Sequence, residues 1–186
     1  MTKDIMIHME YLKKMEKGES SLIDILLSER FQISTLFLSL GIIPFLFDKS
    51  QYFTGTLVNM ILALGVAKFG MKKVWPMILL PSASTYIHGV IFGGATNFLI
   101  YLIPAIILGN LVYALLSKGF KKDILNVVFA SLLKTGILFS TAYILHRAIS
   151  LPEIFLTTMG IMQLITALSG GFIAYTITKQ YKESFN

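Results

Sequence analysis

Residues 81–110, PSASTYIHGVIFGGATNFLIYLIPAIILGN, run for thirty positions without a charged side chain. An ordinary soluble domain carries a charge at about one position in four. A block of this kind needs surroundings other than water. Two apolar stretches flank Gly93-Gly94, and the second contains Pro104 and closes near Gly109-Asn110. The pattern predicts two membrane helices joined by a short extracytoplasmic turn.

The rest of the chain repeats this texture. Of its 186 residues 55% are hydrophobic and only 14% charged, which points to the membrane class. Six apolar runs lie at 31–47, 52–67, 74–91, 98–116, 124–145 and 154–177. A bilayer core takes about 20 residues of helix, with a range of roughly 17 to 25. The first two runs stand at or just under that limit, so they extend past these bounds, tilt or re-enter. Backbone polar groups in lipid must bond within the segment, which selects helices. A transmembrane barrel would alternate polar and apolar residues, and these runs do not. The expected fold is an all-α integral membrane protein with six transmembrane helices over 31–182.

Residues 1–30 read as a cytoplasmic amphipathic leader. Ile5, Met9, Leu12 and Met15 recur at helical spacing, on a face suited to the membrane surface or a partner. Gly18-Glu19-Ser20 breaks that pattern, and Ser21 with Asp24 three residues on reads as a new helix start. The alternative is a solvated, partly ordered segment. It lacks the short apolar core and small-residue cleavage site of a secretory leader.

Lysine and arginine set the orientation. With the N-terminus inside, thirteen of the sixteen fall on cytoplasmic segments, only Lys49 and Arg147 fall outside, and Lys134 lies within a run. This bias predicts both termini on the cytoplasmic side of the plasma membrane. It also explains the net charge of +6 by topology, so nucleic acid is not an expected partner.

Several chemistries are excluded. There is no cysteine, so thiol catalysis and thiolate metal sites fall away. His8, His88 and His146 are far apart and no run contains a carboxylate, which argues against a metal site. No GxSxG, paired membrane aspartates or Walker-type motif occurs. No catalytic residue or cofactor is expected, and the chain reads as a non-enzyme. The loops leave no room for an ATPase domain, so ATP-driven work would need a separate subunit.

Five polar residues are candidates for substrate binding. Lys134 is the eleventh of twenty-two residues in the fifth run. A lysine at that depth costs at least about 2.5 kcal/mol on insertion scales. It reads as a cation facing a cavity and meeting an anionic group; the competing reading is a lysine held by carbonyls and water. Gln163 lies at similar depth in the sixth run, within a stripe of Gly160, Ala167, Gly170 and Ala174. Small residues there permit close helix packing, and Gln163 can serve packing or a ligand. His88, Asn97 and Tyr101 flank the Gly93-Gly94 turn, where they would line the mouth of a pocket or join an interfacial belt with Tyr86 and Tyr143. Asn59 and Asn110 read as buried amides bonding between helices, and Pro81 and Pro104 as proline kinks inside helices three and four.

YIHGVIFGGATNFLIYLIPAIILGN, a glycine-rich outer turn between two helices, and MQLITALSGGFIAYTITK, a last helix of small residues with a basic tail, carry a resemblance. With six short-looped helices and this length, the chain resembles the substrate-binding (S) subunits of energy-coupling factor (ECF) vitamin transporters. The resemblance covers roughly residues 31–182 as architecture. It implies a pocket open to the outside for a vitamin-like small-molecule substrate, built from the outer turn and the outer halves of helices four to six. Asn97, Tyr101, Lys134 and Gln163 fall on those elements. It also implies association with a transmembrane T subunit and two ATPase subunits. The chain departs from many members in its first helix. FQISTLFLSLGIIPFLF has Ser34, Thr35, Ser39 and Gly41 as its small residues, not an alanine-x-x-x-alanine pattern.

A second class of function competes with this one. A small structural or assembly protein of the cell envelope would need no ligand, and Lys134 would then pack on carbonyls. A lipid-modifying enzyme lacks any buried nucleophile–base pair, and an autonomous carrier lacks a visible internal repeat.

Overall fold

A computed structural model of the chain describes residues 9, 22–47, 50–89, 92–120 and 123–180. Among them every regular element is helical. Close contacts divide the chain between Thr35 and Leu36. The first unit holds α1 (Leu22–Leu27) and the opening of α2 (Glu29–Leu46). Ser28 starts α2: its hydroxyl accepts from the Phe31 N–H at 3.3 Å and donates to the Ile25 carbonyl at 2.7 Å. Apart from Met9, the predicted leader face and the helix start at Ser21 lie outside the described residues.

The second unit takes up the rest of α2, where Leu40, Ile43 and Pro44 are buried. α3 (Gln51–Phe69) begins at Ser50, whose hydroxyl accepts from the Phe53 N–H. The third predicted span comes, over residues 71–88, in three helical pieces. α4 (Met71–Val74) passes into a 3₁₀ turn (Trp75–Ile78) and then into α5 (Leu80–His88). Pro76 and Pro81 explain the interruption, because each lacks the N–H that a continuous helix would use. Pro81 therefore stands in the first turn of α5, not in a helix interior. At the break, the Ile78 carbonyl accepts from Asn110 Nδ2 at 3.5 Å.

The connection after α5 is longer than Gly93-Gly94. Gly89 ends α5 at φ 73° and Gly93 stands at φ 53°, both in the left-handed region that glycine enters without steric cost. The buried Thr96 hydroxyl lies 3.0 Å from the Gly89 carbonyl and 2.8 Å from the Gly93 carbonyl. A 3₁₀ turn (Gly93–Phe98) then leads into α6 (Leu99–Ser117), with Pro104 in its interior. α7 (Leu125–Ile149) follows, then α8 (Ile154–Met159) and α9 (Ile161–Gln180), separated by Gly160.

Among the described residues, four helical stretches are long and apolar enough to cross a membrane: Gln51–Phe69, Gly93–Ser117, Leu125–Ile149 and Ile154–Gln180. The other two predicted spans correspond to α2 and to the α4–α5 segment. α2 opens on Glu29, Arg30 and Gln32, which shortens its apolar part, and proline divides the other.

α3 packs chiefly along α9, and α6 along α7; α9 also meets α7, and α3 meets α6. The small-residue stripe of α9 sets the closest approach. A Cβ at Gly170 would lie 2.5 Å from the Thr56 carbonyl oxygen and 2.8 Å from the Met60 nitrogen. The backbones of α3 and α9 are in contact there, as small residues allow in apolar surroundings. Among the described residues, two apolar clusters lie in the second unit. One holds Leu99, Leu102, Leu138, Phe155 and Met159, and the other holds Tyr113, Phe120, Val127, Ala130 and Ala174.

Candidate functional site

Lys134 stands on α7 between these clusters, one turn from Ala130 and one from Leu138. It is 2% exposed. Its aliphatic stem lies on the α6 backbone, since a Cβ at Gly109 would come 3.4 Å from Lys134 Cγ. The ammonium donates to Asn59 Oδ1 at 2.5 Å and stands 5.3 Å from the centre of the Tyr113 ring. An amide oxygen and the negative face of an aromatic ring are both suited to a cation.

Packing holds each partner in place. The α9 backbone presses on Asn59, where a Cβ at Gly170 would come 2.9 Å from Asn59 Cβ. The fully buried Tyr113 donates from its hydroxyl to the Ala167 carbonyl at 2.9 Å and meets Phe120 edge-on. Helices α3, α6 and α7 thus meet at one ammonium, with α9 packed against its partners Asn59 and Tyr113. Both of these partners are neutral.

A cavity of about 80 Å³ opens beside Lys134. Its α3 wall is Gln51, Thr54, Gly55, Val58 and Asn59. Pro81, Ser82 and Thr85 come from α5, and Leu99, Ile106 and Asn110 from α6. Phe92, Met159 and Gln163 complete it. Among the described residues, none of those lining it is acidic. Gln51 is engaged, donating from Nε2 to the Thr158 carbonyl at 3.0 Å. Gln163 Oε1 is not: the atom is buried and accepts no hydrogen bond. A buried acceptor without a donor costs about 1–3 kcal/mol, so Gln163 has capacity for one.

Of the five residues predicted from sequence, Lys134 and Gln163 line this cavity together. The other three stand elsewhere. His88 packs its ring against Phe45, with centroids 4.5 Å apart. Asn97 is exposed in the 3₁₀ turn. Tyr101 is 56% exposed on α6. It lies two residues after Leu99, a rotation of about 200° on a helix, so it faces away from the wall that Leu99, Ile106 and Asn110 form.

Tyr113, Gln51, Thr54 and Ser82 were not anticipated, and Asn59 and Asn110 were read only as interhelical amides. For Asn59 a signal existed. It is the eighth of sixteen residues in its run, at the same relative depth as Lys134 in its own. Two polar residues at mid-depth on different helices are natural partners. Tyr113 gave no such signal, since an aromatic in an apolar helix is ordinarily core.

Among the described residues, no three His, Asp or Glu side chains group closely enough to hold a metal ion. No protein-family model, curated protein or solved structure matches the chain.

Proposed function

We propose that the chain is a multi-pass plasma-membrane protein that binds a small anionic solute at Lys134. In this reading it is a substrate-binding subunit for nutrient uptake that works with separate energising subunits of the ECF kind. The observation that carries it is a buried lysine whose cavity has no acidic residue among the described residues that line it. A cation in low dielectric calls for a counter-charge, and a bound anion supplies one. Six spans with both termini cytoplasmic are part of the proposal. They rest on the lysine and arginine distribution. In that orientation Gln51, Phe92 and Leu99 lie toward the outer surface, so the cavity is reached from outside. Binding a vitamin-sized solute would require the cavity to widen, because sites for such ligands have volumes of about 300–1,000 Å³.

The test is the melting temperature of the purified protein against a broad panel of vitamins and small acids. Stabilisation by a solute, lost in Lys134→Ala, supports the reading; a panel without any effect sinks it. Co-purification of a T subunit and ATPases tests the transport assignment separately. A second reading, a ligand-free structural or assembly protein of the cell envelope, is favoured by one fact. Lys134 already has a hydrogen-bond acceptor and a π face. It predicts that no solute changes stability.

A further inference from the structure

The lining points to a narrower ligand class, and this inference rests on the reading above. Two residues that line the cavity have hydrogen-bonding capacity left over, and they are of opposite kind. Lys134 is a donor with three N–H bonds, of which one goes to Asn59 Oδ1. Gln163 Oε1 is an acceptor, buried and without a donor. They stand on different helices, α7 and α9, and line one space of about 80 Å³. That volume is well below the roughly 300–1,000 Å³ of sites for drug-sized ligands, so the cavity suits a small head group.

A simple anion would answer Lys134 and leave Gln163 Oε1 without a donor. A neutral alcohol or amine would answer Gln163 and leave the ammonium without a counter-charge. We infer that the site recognises a small carboxylic acid carrying an N–H or O–H donor next to the carboxylate, as α-hydroxy and α-amino acids do. The carboxylate meets Lys134 and the adjacent donor meets Gln163. A larger solute with such a head group would place that group here and its remainder toward Phe92 and Leu99.

The experiment compares acetate, glycolate, glycine and inorganic phosphate as probes for the full chain in detergent or nanodiscs. Dissociation constants come from melting-temperature titrations. Glycolate or glycine is expected to bind about tenfold more tightly than acetate, the scale of one hydrogen bond to a buried group. Gln163→Leu should abolish that difference while acetate binding persists. Lys134→Met, which keeps the apolar stem, should abolish all binding. Equal binding of acetate and glycolate, or tightest binding of phosphate, overturns the head-group assignment and leaves the anion site standing. No response to these probes, with a Lys134-dependent response to a larger solute, also overturns the assignment alone. No response to any solute overturns both. If Lys134→Met does not fold, Gln163→Leu decides by itself: an unchanged preference for glycolate contradicts the inference.

Discussion

Lys134 is costly where it stands, and its surroundings show how the cost is met. Its ammonium has one amide oxygen and one aromatic face, both neutral. Asn59 is the replaceable part of this arrangement. Asn59→Leu removes the acceptor and leaves a buried donor unsatisfied, so it should destabilise the protein by about 1–3 kcal/mol. Adding Lys134→Met should recover most of that loss, because the two changes act on one interaction. Reversible unfolding of the single and double variants in mixed micelles gives the coupling directly. Additive losses would mean that the bond contributes little. At this scale the sequence was half legible. Depth along an apolar run singled out Lys134 and Gln163, whereas rotation about the helix axis removed Tyr101 from their wall. Depth follows from counting residues, but facing depends on which neighbour packs on which side. In helices apolar all round, the sequence holds little information about facing.

Helix interruptions and close approaches decide the site at the next scale. The break at 75–81 was only partly legible. Its prolines were plain, but the 3₁₀ turn and the contact from Asn110 to the Ile78 carbonyl depend on a second helix. The small-residue stripe on α9 was legible as packing, and its tightest point is Gly170. Gly170→Ala would drive a methyl group against the Thr56 carbonyl, so a loss of about 1–3 kcal/mol is expected. The same change would push α3 away from α9 and displace Asn59, weakening solute binding as well. Gly136 provides the control. A Cβ there meets nothing within 4 Å, so Gly136→Ala should be neutral or stabilise by up to about 1 kcal/mol, as alanine does in a helix. Thermal melts of both variants test the pair together. Equal effects would show that the α3–α9 contact is looser than the geometry implies.

For the whole molecule, the helical class and four of the apolar spans were legible because long runs without charge admit few other solutions. The cavity was not, because it exists only where α3, α5, α6, α7 and α9 meet. The absence of native cysteine makes orientation easy to test. Single cysteines at Gly94 and Ser150 should react with a membrane-impermeant maleimide on intact cells. A cysteine at Lys118 or Lys179 should react only after lysis. Labelling of position 179 from outside would break the six-span topology. The claim on which everything else turns is that an anion completes the charge at Lys134. The most direct measurement compares a carboxylic acid with its neutral amide of the same shape, glycolate against glycolamide, by equilibrium binding to the protein in nanodiscs. The account predicts that the acid binds, the amide does not, and Lys134→Met binds neither. Equal binding of acid and amide, or unchanged acid binding by Lys134→Met, would contradict it.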